Sequence, residues 1–380
     1  MALANLAGRR LAGALADGAE QEGGDGGGGG GGETGAPPAS EPIDTEGRWL
    51  EGVAPACIDV GLDWRACDRI AVPEFRRSAY GPIAPPSVAY LRTADGKAVV
   101  VKAGGRCGTE LCAAEVAAAV GVRVPPMRLV SRRDKEHSDI CFALERLSLL
   151  QVRWHGEVVE NLLREKHLLV AEHVPGRTVD GMPQPDVART LCGAQGDFLV
   201  QLGGLMAFDM TLNGDRFPAL PEDGDDGDEI REVDMASVLS DDTNRLWTCE
   251  NLGSLTEGTV ERVAILREVS KVCTAIAARQ PQMCAPTARV VAGLRQRLNL
   301  PSLDKQAGRL LEDGFIATGK AIAALSVDDY RGMVERAVET VGEVVGILDD
   351  PLLPPLDVDL MAGVSAVFRR CFLGVTTEDD

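Results

Sequence analysis

The stretch SVAYLRTADGKAVVVKAGGRCGTELCAAEVAAAV, residues 87–120, decides the fold class. Two runs of β-prone residues flank Asp95 and Gly96, a pair that tolerates the positive φ of a hairpin turn. The alanine-rich run that follows contains the strongest helix formers, with Thr109 suited to an N-cap and Gly121 to a C-cap. The segment therefore predicts a β-hairpin followed directly by a helix.

The rest of the chain divides into a β-rich half and a helical half. PMRLVS (126–131) and HLLVAEHV (167–174) have the length and composition of buried strands. Farther along, apolar residues recur at three- and four-residue spacing, which is typical of helices. This spacing predicts helices near residues 197–212, 259–280, 286–298, 305–325 and 328–348. We therefore expect an α+β fold, with a small β-rich lobe before a larger helical lobe.

Low-complexity sequence sets the expected domain boundaries. Seven consecutive glycines, Gly26 to Gly32, lie in a leader that cannot compensate for backbone ordering with buried surface. We expect residues 1–48 to be a disordered leader, and residues 49–170 and 171–380 to form the two lobes. An acidic run near residues 221–245 is expected to be a solvated loop insertion in the second lobe.

Charge and hydropathy exclude two broad classes of function. The chain has 39 Lys and Arg against 58 Asp and Glu, a net charge of −19, whereas nucleic-acid binding requires clustered cations. No apolar run approaches the roughly 18 to 20 residues of a membrane span. We expect a cytoplasmic protein that binds neither nucleic acid nor membrane, although the amphipathic N-terminus with Arg9 and Arg10 leaves organelle targeting open.

Two charged residues of the deciding stretch are candidates for phosphate chemistry. Lys102 lies at the end of a valine-rich strand, where its amine could hold the phosphates of a nucleotide. Glu110, eight residues later, could pair with Lys102. Taken singly, however, Lys102 could simply reach solvent, and Glu110 could be an acidic residue favoured by the helix dipole.

A third candidate follows an apolar helix in the sequence FDMTLNGDRFP, residues 208–218. Asp215 would lie in a tight loop, where a carboxylate could orient or deprotonate an attacking hydroxyl. The alternative is an Asx turn that ends the helix.

The order of VVVKAGG, TELCAAEVAAAVGVRVPPMRLV, LLVAEHVPG and LGGLMAFDMTLNGDRFPAL resembles the catalytic domain of actin-fragmin kinases, a branch of the protein-kinase-like superfamily. The resemblance covers roughly residues 85–345 and implies a bilobal kinase-like fold that transfers the γ-phosphate of ATP to a protein hydroxyl. It implies a phosphate-binding lysine with its ion-pair partner, a catalytic base, and a hinge that meets adenine. These roles fall on Lys102, Glu110 and Asp215, and on the hinge residues Glu172, His173 and Val174. The resemblance also suggests an actin-related protein substrate.

The family pattern is less complete for Mg²⁺. In the family, an asparagine of a Gly-Asn-x-x-Asn element binds the metal, and the stretch LWTCENLGSL offers Asn251 at the first asparagine and Ser254 at the second. The aspartate of the family's following Ile-Asp element would fall on Leu266, which has no oxygen to bind Mg²⁺. A pseudokinase that binds nucleotide or protein without turnover is therefore an alternative. In a catalytic protein, Asp234, Asp241 or Asp242 could replace the missing ligand.

A small-molecule kinase is a further alternative, because the fold does not define the molecule that accepts the phosphate.

The run from Gly314 to Ala321 nearly matches a phosphate-binding P-loop, but Ala321 replaces the required Ser or Thr and no strand precedes it. We therefore expect this run to be part of a helix.

Overall fold

The computed structural model describes residues 50, 52–59, 61–72, 88–103, 107–151, 156–179, 197–212, 217, 235, 238–241, 243–248, 259–301, 303–345 and 357–375. All of them lie in Asp44–Asp380, one of the two units into which the chain divides. The expected leader, residues 1–48, lies outside the described residues.

A five-stranded antiparallel sheet dominates the first half. Its strands are β1 (Arg69–Ala71), β2 (Val88–Arg92), β3 (Ala98–Ala103), β4 (Met127–Ser131) and β5 (His167–Glu172), in the order β1-β2-β3-β5-β4. The predicted hairpin is confirmed, because β2 pairs with β3 and Val88 lies opposite Lys102. Gly96 in its turn has a φ of 80°, a conformation that glycine adopts without strain.

Helix α1 (Cys107–Val120) connects β3 to β4 and begins earlier than predicted. Thr109 is inside the first turn, and its buried hydroxyl has no hydrogen-bond partner among the described residues, so the N-cap prediction was wrong. The C-terminal prediction is confirmed. Gly121 has a φ of 77°, and the Val122 amide donates to the Ala117 carbonyl at 2.9 Å.

Two helices between β4 and β5, α2 (Lys135–Gln151) and α3 (Gly156–Arg164), were not predicted. Because successive strand residues point to opposite faces, alternate residues of the sheet pack beneath these helices. We call this side the helix-covered face. It comprises Ile70, Ala89, Leu91, Val99, Val101, Val130, Leu168 and Val170.

The intervening residues form the opposite side of the sheet, which we call the Lys102 face. Strand register places Val88, Tyr90, Val100, Lys102, Met127, Leu129, Leu169 and Ala171 on it. Several of these apolar side chains pack together in small clusters beside the buried Lys102. The two faces are therefore built from the same strands but differ in charge.

A second, three-stranded sheet contains β6 (Gly176–Thr178), β7 (Val238–Asp241) and β8 (Leu246–Thr248). Residues 238–248 include the end of the range expected to be an acidic loop, and they form a hairpin instead. Val238 and Ser240 alternate inward, and Asn244 supplies the left-handed turn residue with a φ of 59°. The acidic residues of this range therefore do not prevent strands from forming on either side of the turn.

Six helices are described in the second half, and the apolar spacing correctly predicted five of them. They are α4 (Asp197–Thr211), α5 (Thr259–Ala277), α6 (Ala285–Leu298), α7 (Lys305–Ala323), α8 (Val327–Val345) and the unpredicted α9 (Val358–Leu373). Together with α1 they enclose the main apolar core. The mixed α+β architecture, with a sheet-rich first part and a helical second part, is that of a bilobal kinase-like fold.

Helices α4 and α7 approach with their backbones almost in contact. A β-carbon at Gly203 would lie 2.0 Å from the Leu311 carbonyl oxygen, and one at Gly314 would lie 1.8 Å from the Val200 carbonyl oxygen. The P-loop-like run is therefore helical, as expected, and Gly314 serves helix packing. Among the described residues, no helix is both long and apolar enough to cross a bilayer.

Candidate functional site

The structure brings Lys102 and Glu110 together in a buried ion pair. The Lys102 Nζ lies 2.9 Å from Glu110 Oε2, and the two side chains are only 8% and 9% exposed. Burying both charges costs several kcal/mol of solvation per ion, which their attraction offsets only with good geometry. A pair this well enclosed is weak support for stability and is more readily explained by chemistry at the site.

Local structure explains how the pair forms. Lys102 follows Val100 on the Lys102 face of β3, and Glu110 lies in the first turn of α1. Cys112 and Val116 anchor α1 in the helical core. On the outer side of α1, Arg336 of α8 lies 2.9 Å from the carboxylate of Glu115. Helix α1 is thus held from the helical half while it presents Glu110 to the sheet.

The three predicted hinge residues lie at the end of β5. Glu172 is half-buried, whereas His173 and Val174 are buried. Continuing the alternation of β5 puts His173 on the side of Ala171, and its ring meets Tyr90 edge-on at 5.8 Å between centroids. Burial lowers the pKa of His173 to about 4, against a smaller opposing influence of the Leu50 backbone. The ring is therefore neutral at pH 7.

Asp215, the predicted base, lies outside the described residues. The nearest described residues on either side, Leu212 directly after α4 and Phe217, are both buried in the main apolar core. The chain that carries Asp215 is therefore anchored at both ends by apolar packing.

The predicted metal ligands have mixed outcomes. Asn251, Asp234 and Asp242 lie outside the described residues. Asp241 accepts hydrogen bonds from the Thr243 amide at 2.8 Å and from the Trp247 indole at 2.8 Å. Burial would raise its pKa, but these hydrogen bonds lower it. Asp241 therefore organises the β7–β8 turn, and we do not retain it as a metal ligand.

Leu266 has a packing role that the sequence did not reveal. It lies in α5, and its side chain contacts Gly363 of α9, where an added β-carbon would be 2.9 Å from Leu266 Cδ1. An apolar residue is expected at such a helix contact. The alignment of Leu266 with the metal aspartate of the family stays a prediction from the sequence. Within the described ranges, no three His, Cys, Asp or Glu side chains come together as a metal-binding group.

A groove of about 180 Å³ lies between α1, β4 and α8. Its charged lining residues, Glu115 and Arg336, already pair with each other, and the remaining lining is mainly apolar. The buried Lys102–Glu110 pair, rather than this groove, is the better candidate for chemistry.

The sheet-rich first part and the helical second part have the architecture of a kinase-like fold. Residues 57–239 match the family model for the actin-fragmin kinase catalytic domain, so the resemblance found in the sequence is confirmed. The matched segment extends from before β1 into β7 and includes Lys102, Glu110 and Asp215. No curated protein matches the chain. At the level of the family, the match supports a kinase-like phosphotransferase.

Proposed function

We propose that the protein is an ATP-dependent phosphotransferase that transfers the γ-phosphate to a hydroxyl of a protein substrate. The observation that carries this proposal is the buried Lys102–Glu110 ion pair within the segment that matches the kinase family. A kinase-like domain suggests a protein substrate, and the family resemblance suggests an actin-related one.

The residues of the site suit a nucleotide. Lys102 offers a buried cation for phosphate oxygens, and Glu110 fixes its position. Beside it, Val88, Val100 and Ala171 form an apolar cluster of the kind that accepts a planar base. When bound, ATP supplies the phosphoryl group that is transferred.

Each residue then has one task in the proposed reaction. Lys102 orients the phosphates, and the backbone of Glu172 to Val174 meets the base. Asp215 orients the acceptor hydroxyl and takes its proton as the new oxygen–phosphorus bond forms. The leaving group is ADP. Positioning and charge stabilisation account for most of the catalysis in such reactions.

The metal ligands stay predictions from the sequence. Asn251 would supply an amide oxygen and Asp234 or Asp242 a carboxylate, which are the ligands that Mg²⁺ prefers. Asp234→Ala or Asp242→Ala should weaken the dependence of ATP binding on Mg²⁺, measured by titrating ATP at several Mg²⁺ concentrations. Unchanged dependence in both variants would remove these two carboxylates from the proposal.

The proposed function is tested by thermal unfolding with ATP, with and without Mg²⁺, followed by phosphate transfer from labelled ATP to an actin preparation. A ligand that binds only the folded state raises the melting temperature. We expect a Mg²⁺-enhanced increase in wild type, and transfer that Asp215→Asn reduces by about 10² to 10⁴.

The matched control for nucleotide binding is the double variant Lys102→Met, Glu110→Gln, which removes both charges and leaves no buried ion unpaired. It should fold and lose the ATP-induced shift. An equal shift in this variant and in wild type would exclude Lys102 as the phosphate ligand. ATP binding without any transfer would instead favour the pseudokinase alternative.

A further inference from the structure

A cluster of exposed cations lies at the junction of β4 and α2. Ser131 ends β4, and the Asp134 amide donates to its carbonyl at 2.8 Å, which closes a tight turn. Arg132 and Arg133 are the two central residues of that turn, and Lys135 follows as the first residue of α2. All three cationic residues are exposed. The junction therefore presents three positive charges within four positions of the chain.

The turn is held by groups other than its cationic side chains. The Asp134 carboxylate accepts a hydrogen bond from the Ser131 amide at 2.9 Å, and the Ser131 hydroxyl accepts one from the Arg133 amide at 3.3 Å. The Arg132 amide donates to the Lys166 carbonyl at 2.7 Å, which brings a fourth exposed cation beside the turn. We call these four cations the Arg132 patch: Arg132, Arg133, Lys135 and Lys166.

The first three cations of the Arg132 patch differ from several exposed arginines of the helical half. Arg279, Arg331 and Arg336 each pair with a carboxylate. Among the described residues, no carboxylate forms an ion pair with the cations at the turn and at the start of α2. The chain has a net charge of −19, so carboxylates are abundant in it. Cations that remain unpaired in such a chain are available to a partner.

An exposed aromatic ring lies farther along α2. Phe142 is 47% exposed and follows Lys135 by seven residues, which is two turns of the helix. The Arg65 guanidinium lies 5.5 Å from the centre of the Phe142 ring. Aromatic and arginine side chains are enriched in protein interfaces. This surface thus combines unpaired positive charge with an apolar contact.

We propose that the Arg132 patch, together with Phe142, is a docking surface for an acidic segment of a partner protein. Carboxylates of the segment would meet the unpaired cations, and an apolar side chain within it would meet the Phe142 ring. The patch borders the start of β5 and the predicted hinge follows its end, about 17 Å farther along the strand. The docking surface is therefore separate from the hinge, and the inference does not depend on the proposed nucleotide site.

The charge of the whole chain favours a short acidic segment over a larger polyanion. Nucleic acids and anionic membranes extend well beyond four cations, and they would face the excess of 58 Asp and Glu over 39 Lys and Arg. A short segment meets chiefly the Arg132 patch, because charges more than about 8 Å away are largely screened at physiological salt.

The test titrates the full chain, without nucleotide, into a fluorescent polyglutamate peptide that contains a leucine, and follows the anisotropy. We expect Arg132→Glu, Arg133→Glu to weaken binding about tenfold or more, and Phe142→Ala to weaken it about threefold. Added NaCl should weaken binding to wild type. The matched control is Arg267→Glu, Lys320→Glu, which changes the net charge equally at exposed cations of α5 and α7. Its affinity should stay within about twofold of wild type.

Equal weakening in the control would overturn the inference, because binding would then follow net charge alone. Absence of peptide binding by wild type would also overturn it. Phosphatidylserine vesicles and oligothymidylate are titrated in the same way, and tighter binding of either than of the peptide would overturn the assignment to a protein segment.

Melting temperatures of the variants check their folding. If Arg132→Glu, Arg133→Glu melts below wild type, Lys135→Gln, outside the turn, replaces it, with an expected loss of about threefold in peptide affinity. Unchanged affinity in Lys135→Gln would then overturn the inference. Failure of wild type to bind ATP would overturn the proposed function and leave this inference standing.

Discussion

The two faces of the five-stranded sheet are formed by alternate residues of the same strands, yet they serve different ends. On the helix-covered face, Leu91, Val99 and Val101 are fully enclosed beneath α2 and α3 and carry no charge. The Lys102 face buries an ion pair and borders the buried ring of His173. The first face contributes hydrophobic stability. The second includes groups that are costly to bury, which is the usual sign of a site that acts on a ligand.

The largest expected effect tests the charged side of this comparison. Lys102→Met should lower the free energy of unfolding by about 4 kcal/mol, because it leaves the buried carboxylate of Glu110 without its cation. Urea denaturation measures this loss. Adding Glu110→Gln should restore most of it. If the single and double variants are equally unstable, the pair is not energetically coupled.

Acid should lower the free energy of unfolding through His173, which borders the Lys102 face. The folded state holds the pKa of His173 at about 4, below the ordinary value of 6.5, so the unfolded state binds the proton more readily. The stability due to the neutral ring is present above pH 6.5 and is lost as the pH falls towards 4. Between pH 7 and pH 4, wild type should lose about 3 kcal/mol more than His173→Phe. Parallel pH profiles of unfolding would contradict this expectation.

Neighbouring valines on β3 allow a direct comparison of the two faces. Val99→Ala, on the helix-covered face, should cost about 2 kcal/mol of stability without changing the affinity for ATP. Val100→Ala, on the Lys102 face, should cost less stability and weaken ATP binding about fivefold. Chemical denaturation and nucleotide titration of both variants provide the measurement. The same pattern in both would remove the functional distinction between the faces.

The smallest expected effect concerns the ion pair on the outer side of α1. Arg336 and Glu115 are 56% and 42% exposed, so Arg336→Ala should change the free energy of unfolding by less than about 1 kcal/mol. ATP affinity should not change, and Arg336→Lys is the matched control. A large loss of ATP affinity would show that this surface pair holds Glu110 in place.

Local pattern predicted those parts of the fold that follow from neighbouring residues. The β2–β3 hairpin and the end of α1 at Gly121 depend on turn and capping preferences that a few residues express. The start of α1 was misplaced, because Thr109 has the side chain of a cap but is buried within the first turn. Burial in the folded protein outweighed the local preference.

Features that depend on distant contacts were harder to predict. Helices α2 and α3 owe their positions to the helix-covered face, and the charged residues around Asp241 obscured the β7–β8 hairpin. For the site, the order of the motifs along the sequence identified Lys102 and Glu110 as candidates, and the structure shows that the two side chains are in contact. The lowered pKa of His173 had no sequence signal, since it depends on what surrounds the ring.

The contact between α4 and α7 has a consequence for how tolerance to substitution should be understood. Gly203 and Gly314 have no room for even a methyl group, because each faces a backbone carbonyl of the other helix. A complete substitution scan would therefore find these positions as intolerant as a reactive side chain. Substitutions at these positions would fail only because the two helix backbones are so close. The glycine pattern that looks like a phosphate loop is therefore explained by the contact between two helices.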